Sequence, residues 1–166
     1  MHEKSIGILN EAIADELKAI HQYMYFHFHC DDQGYDPLAN LFRQTAITEM
    51  QHAERIAERI LFLKGDVEMV PNAPVAKIHD VDKMLAKALE LEEGAVELYN
   101  RFATKSAENG DSVTKQLFEE LVVAEEGHFD GFDMQNEHLA KFGEQFLALQ
   151  SVERSRQVSA PPPADA

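Results

Sequence analysis

The chain reads as all-α: a four-helix bundle with one long crossover between its second and third helices and a short C-terminal fifth helix. Two observations predict it. Apolar residues recur at three- and four-residue steps through four long stretches, the pattern of amphipathic helices. Three of the breaks between stretches are short, whereas the link from Gly65 to His79 is long and carries Pro71 and Pro74.

The first stretch runs from about Ser5 to Cys30, with Ile6, Leu9, Ile13, Ile20 and Tyr23 on one stripe, and Asp31-Asp32-Gln33-Gly34 ends it. Asp36-Pro37 opens the second, with proline in the first turn, where its missing N–H costs nothing. Leu38, Leu41, Phe42, Ile56, Ile60 and Leu63 carry that helix until Gly65 stops it. The third begins near Asp80 and fades at Asn109-Gly110; the fourth runs from Asp111 or Ser112 to about Phe142, before Gly143. A short amphipathic piece around Gln145 to Val152 follows. Residues 1–152 are read as one domain, and residues 153–166, with Pro161-Pro162-Pro163 and little apolar content, as a disordered Pro-rich tail. A helix of about 27 residues is roughly 40 Å long, and fifteen extended residues reach up to about 50 Å. The link can therefore cross the whole bundle, so helices two and three need not be antiparallel neighbours.

Composition limits what such a bundle does. The 166 residues are 45% hydrophobic and 27% charged, as in globular proteins and unlike disordered chains. Fifteen Lys and Arg face 30 Asp and Glu, a net charge of −15. That balance disfavours nucleic acid and anionic membranes as partners and suits a protein that attracts cations. One cysteine, Cys30, excludes an internal disulfide framework and any four-thiolate metal site. The start MHEKSIG lacks the apolar core of a secretory signal, and no run of about 18 apolar residues occurs, so the expected location is cytoplasmic.

Glu-x-x-His occurs twice, as Glu49-Met50-Gln51-His52 and Glu125-Glu126-Gly127-His128. Residues three apart share a helix face, so each motif presents a carboxylate and an imidazole together. With 8 His in so acidic a chain, about one such pair arises by chance. Spacing makes the pattern informative. Glu16 precedes Glu49 by 33 residues, and Glu92 precedes Glu125 by 33. The same 76-residue shift carries Tyr23 onto Tyr99, Ala19 onto Ala95 and Leu41-Phe42 onto Leu117-Phe118. The halves look like copies of one helix pair. Periodicity puts Glu16, Glu49, His52, Glu125 and His128 on buried stripes, where unpaired carboxylates each cost several kcal/mol. No Lys or Arg falls on those stripes. Two divalent cations would cancel four carboxylates, and four Glu with two His suit iron or manganese.

The stretch Glu16-Leu-Lys-Ala-Ile-His-Gln-Tyr23, then Glu49-Met-Gln-His-Ala-Glu54-Arg55, then Glu125-Glu-Gly-His128 resembles the ferritin-like di-iron proteins, and within them the bacterioferritins. The resemblance covers about residues 4–152. It implies two iron ions per subunit, with Glu16 and His52 holding one, Glu92 and His128 the other, and Glu49 and Glu125 bridging. Tyr23 would orient the Glu92 carboxylate. It further implies oxidation of Fe(II) to Fe(III) by O2 or H2O2, storage of the mineral in a hollow 24-subunit shell built from dimers, and a ferredoxin as reductant for release. Met50 points about 100° from Glu49, to the outside; on residues alone that is surface or a subunit contact. The resemblance implies that it is the axial ligand of a b-type haem clamped by two chains at a twofold interface.

Other features bear less directly on chemistry. Some family members carry a His and an acidic residue on the inner surface beside the di-iron site; Gln44 and Thr48 stand here, which argues against an extra iron site. His27, His29, Cys30 and Asp31 are read as a solvated helix terminus. Glu93, Glu97, Glu119, Glu120 and Glu126 are read as a solvated acidic face, and Gly127 with Gly131 as allowing close helix approach or a bend. Two rival functions share the helix pattern. A rubrerythrin-like peroxidase commonly adds a module with two Cys-x-x-Cys pairs, which one cysteine excludes. A small DNA-shielding (Dps-like) cage needs a basic tail or a site between subunits, and neither pattern is present. A purely structural bundle would not retain all six ligands.

Overall fold

The computed structural model describes residues 3–159. They form α1 (Glu3–Asp32), α2 (Asp36–Phe62), α3 (Val81–Glu108), α4 (Ser112–Phe142) and α5 (Glu144–Ser159), with no strand among the described residues. α1 packs chiefly on α2 and α3 on α4, and the two pairs meet across thinner seams.

The 76-residue repeat is visible in the turns and in the core. α1 and α3 end alike: Gly34 at φ 81° and Gly110 at φ 70° take the left-handed conformation that frees the chain from the helix. The next N–H then reaches back to the helix, Tyr35 to the Cys30 carbonyl and Asp111 to that of Ser106, both at 2.9 Å. In the core, Phe26 and Phe42 meet with ring centroids 5.2 Å apart, and their counterparts Phe102 and Phe118 at 5.3 Å. These rings anchor two apolar clusters, one around Tyr99 and the other around Tyr23.

The crossover behaves as the helix lengths require. It starts where Gly65 lies so close to Ile6 and Ile60 that an added Cβ would sit 2.7 Å from the Ile6 side chain. It then follows α1 from one end to the other. The Asp66 carbonyl accepts from Asn10, the Asn72 N–H donates to the Ala14 carbonyl, and Gln22 bonds both backbone groups of Ala76 at 2.7 and 3.0 Å. Near the far end, the His79 carbonyl accepts from Gln33. α3 thus starts beside the C-terminal end of α1 and runs antiparallel to it.

α5 closes the end of the bundle where α1 turns into α2. Phe146 is buried, Gln150 Oε1 accepts the Leu38 N–H at 3.1 Å, and the Arg154 guanidinium lies 2.6 Å from both Asp31 and Asp36. The Leu38 N–H is one of the orphan donors of a helix start, so α5 completes α2.

Three expectations change. The helix continues to Ser159, so residues 153–159 are helical rather than a disordered tail, held by Arg154, an ion pair that apolar periodicity does not register; the Pro161-Pro162-Pro163 run lies outside the described residues. Cys30 is not at a solvated terminus: it is 0% exposed, its Sγ 3.6 Å from Met84 Sδ, and burial pushes its thiol up to about 12. His27 and His29 turn to different neighbours, the Ala39 carbonyl and the Tyr25 and His79 rings, so no cluster forms. Gly127 and Gly131 permit no close approach within the chain, because a Cβ at either would meet nothing within 4 Å, and α4 runs through both as one helix.

Candidate metal centre

Mid-bundle, between the two aromatic clusters, each of the first four helices contributes to one polar centre. Glu16 comes from α1, Glu49 and His52 from α2, Glu92 from α3, and Glu125 and His128 from α4. The four glutamates and His52 are buried, and His128 is only slightly more open.

The geometry is nearly twofold. His52 Nδ1 lies 2.9 Å from Glu49 Oε2 and 3.0 Å from Glu125 Oε1. His128 Nδ1 lies 3.1 Å from Glu49 Oε1 and 3.2 Å from Glu125 Oε2. Each of these two carboxylates therefore offers one oxygen to each imidazole. The remaining carboxylates sit one at each end, Glu16 Oε1 at 3.7 Å from His52 Nδ1 and Glu92 Oε2 at 3.6 Å from His128 Nδ1. The two rings are 5.7 Å apart and tilted by 23°. Two donor sets result, Glu16–Glu49–His52–Glu125 and Glu49–Glu92–Glu125–His128, each with its ligand atoms within 4.8 Å of one another.

Many of these atoms are close without being bonded to each other. Glu49 Oε2, His52 Nδ1, Glu92 Oε2 and Glu125 Oε1 are buried and have no aligned hydrogen-bond partner. His52 Nδ1 stands at hydrogen-bond distance from two carboxylates, but its N–H is aimed at neither. Buried polar atoms left in this state are costly. Hard oxygen and imidazole donors converging on two points fit divalent first-row metal ions, and the four negative charges match two such ions.

The electrostatics show the strain the centre carries on its own. Burial, with the Glu49 and Glu125 charges adding, raises the Glu16 carboxyl well above the carboxylate range despite the hydrogen bond from Tyr99. Burial likewise pushes Glu92 up to about 8, against the pull of the nearby His128 imidazole. Glu125 goes the other way, to about 2: burial opposes its ionisation, but His128 and His52 outweigh it. Burial would lower both imidazoles, yet the adjacent carboxylates, Glu125 first, raise His52 to about 9 and His128 to about 12. Protons on these groups do in part what cations would do.

Two phenols flank the centre. Tyr23 donates to Glu92 Oε1, and Tyr99 donates to Glu16 Oε1 at 2.5 Å. Tyr99 went unassigned in the sequence reading, although the repeat that pairs it with Tyr23 was the signal that could have found it. A cavity of about 10 Å³, room for roughly one water-sized particle, is lined by Glu16, Glu49, Glu92 and Glu125 and reaches Lys18 and Ala19 on α1. Lys18 is paired with Asp15, and among the described residues no lysine or arginine is paired with the four carboxylates. Met50 is 55% exposed on the outer side of α2, and the Thr48 hydroxyl donates to the Gln44 carbonyl.

Comparison with known proteins decides the family. The family described as Ferritin-like domain matches residues 6–150. The chain is 37% identical over 145 residues to the bacterioferritin of Desulfovibrio desulfuricans, covering 87% of this chain and 81% of that one. It belongs to the bacterioferritin family. A second bacterioferritin, from Rhodobacter capsulatus, is 37% identical over 147 residues, covering 88% and 91% of the two chains. Solved structures agree. The D. desulfuricans bacterioferritin, known with its diiron site in different catalytic states, superposes with a TM-score of 0.86 at 36% identity, over 88% of this chain and 85% of that one. The R. capsulatus bacterioferritin, solved with a metal-free dinuclear site and a haem iron in a crystallographic special position, gives 0.84 at 34% identity over 96% of each.

Proposed function

We propose that this protein is an iron-storage ferroxidase, oxidising Fe(II) at the centre within each subunit and keeping Fe(III) as mineral inside a hollow shell of copies. The observation that carries the reading is the pair of donor sets sharing Glu49 and Glu125, whose four oxygens are divided between two imidazoles. Glu16 and His52 would hold one iron and Glu92 and His128 the other, with Glu49 and Glu125 bridging. Two irons held there would supply two electrons together to O2 or H2O2, avoiding one-electron products.

The chain's residues do the rest. The carboxylates are hard anionic donors that favour the ferric state. Tyr23 fixes the Glu92 carboxylate through its hydroxyl. The surrounding aromatic clusters keep bulk water from the centre. Binding must displace the protons that Glu92, His52 and His128 hold near neutral pH, which couples uptake to proton release.

Shell, haem and location extend the same reading. Large apolar side chains left exposed on one chain, Phe62 at 71% and Phe28 and Val123 among them, fit burial between copies in a 24-subunit particle. Met50, exposed on α2, would meet its symmetry mate and hold a b-type haem at a twofold interface. A ferredoxin would return electrons for release. The reading puts the protein in the cytoplasm; separately, no helix of the described residues is long and apolar enough to cross a membrane.

Glu49→Ala and His128→Ala test the centre. Each should abolish rapid Fe(II) oxidation while circular dichroism stays helical. Oxidation at the wild-type rate in either would contradict the reading.

A further inference from the structure

Tyr99 enters the centre from α3, and the carboxylate it bonds belongs to α1. Its side chain is 1% exposed and packs on Phe118 and Phe102, with centroids 5.7 and 6.5 Å away. A phenylalanine would fill that space equally well, so packing alone gives no reason for the hydroxyl. The hydroxyl reaches Glu16 Oε1, the same atom that lies 3.7 Å from His52 Nδ1. A hydrogen bond there pins the rotation of the carboxylate and leaves its remaining lone pairs to a metal. Tyr23 bonds Glu92 in the other half, there on Oε1 while Oε2 faces His128, and both phenol bonds cross the thin α1–α3 seam.

We infer that Tyr99 is a positioning residue for the metal held by Glu16 and His52, acting on Glu16 alone, so that each of the two metal positions has its own phenol, donated by the opposite half of the repeat. The inference rests on the proposed dimetal reading and adds to it that the two positions are adjusted separately. Phenols that bond different terminal carboxylates cannot replace one another.

Calorimetric titration of the assembled, iron-stripped protein with Zn2+, which is redox-inert, tests this without any turnover. Wild type should take up two Zn2+ per chain; failure to do so would count against the dimetal centre itself, before any tyrosine is changed. In a His128→Ala background, which leaves the Glu16–His52 position, Tyr99→Phe should weaken Zn2+ binding by about 10–100-fold, the usual effect of removing a bond that orients a ligand. In a His52→Ala background, which leaves the Glu92–His128 position, Tyr99→Phe should change affinity by less than about twofold. Tyr23→Phe should show the reverse dependence. Equal weakening in both backgrounds would reduce Tyr99 to general packing, and no weakening in either would remove its role; both results overturn the inference.

Discussion

At the scale of single residues, the centre is a set of groups whose protonation substitutes for missing positive charge, and stability should report it. Glu92 ordinarily titrates near 4.5 and is raised by burial to about 8, so its contribution is present below 4.5 and lost as pH rises through 8. His52 ordinarily titrates near 6.5 and, its carboxylate neighbours outweighing burial, reaches about 9; its contribution is lost over that interval. Glu125 has the opposite sign and loses its contribution only as pH falls from 4.5 towards 2. The metal-free protein should therefore melt at lower temperature at pH 9 than at pH 6.5. Cations displace the protons and remove the repulsion, so the gap in melting temperature between Zn2+-loaded and metal-free protein should widen over the same range. Parallel curves would contradict this account of the charges. Met50 is separable from the centre: Met50→Leu should abolish the Soret band of the purified protein and leave Fe(II) oxidation intact, and a surviving band would show a different haem ligand.

At the scale of elements, the crossover keeps the two helix pairs in register. Gln22 bonds both the N–H and the carbonyl of Ala76 from a buried position. Gln22→Ala should destabilise the protein by about 1–3 kcal/mol, since the partners lose bonds they cannot easily replace. Hydrogen exchange at Ala76 should accelerate more than at the core of α1, and uniform acceleration would show that the crossover has no separate role. The sequence made most of this scale legible because apolar spacing and glycine punctuation are local signals. Gly34 and Gly110, repeat partners, mark the two turns, five of the six Glu and His residues of the centre lie on stripes that periodicity can place, and the repeat supplies Glu92. What was not legible is tertiary. The last seven residues of α5 carry no apolar stripe and are held by Arg154 between Asp31 and Asp36, residues far away in the chain. Cys30 looked terminal because the acidic and glycine residues after it dominate the local pattern, although Tyr23, Phe26 and Cys30 share the spacing of one core stripe. Tyr99 was in view as the copy of Tyr23, but its hydrogen bond links residues 83 positions apart and becomes visible only when α3 is laid against α1.

At the scale of the whole molecule, one chain holds a complete pair of donor sets but cannot by itself hold mineral. On the proposed reading storage would belong to an assembly, and the net charge of −15 suits a particle that draws in cations. The exposed apolar residues are the surface that assembly would cover. The most direct measurement is aerobic Fe(II) loading followed by size-exclusion chromatography, with protein, iron and haem absorbance read on one trace. The account predicts a large particle carrying iron far above about two per chain, with a Soret band on the same peak. Uptake that stops at about two irons per chain on a small oligomer would contradict storage and leave a di-iron enzyme in its place.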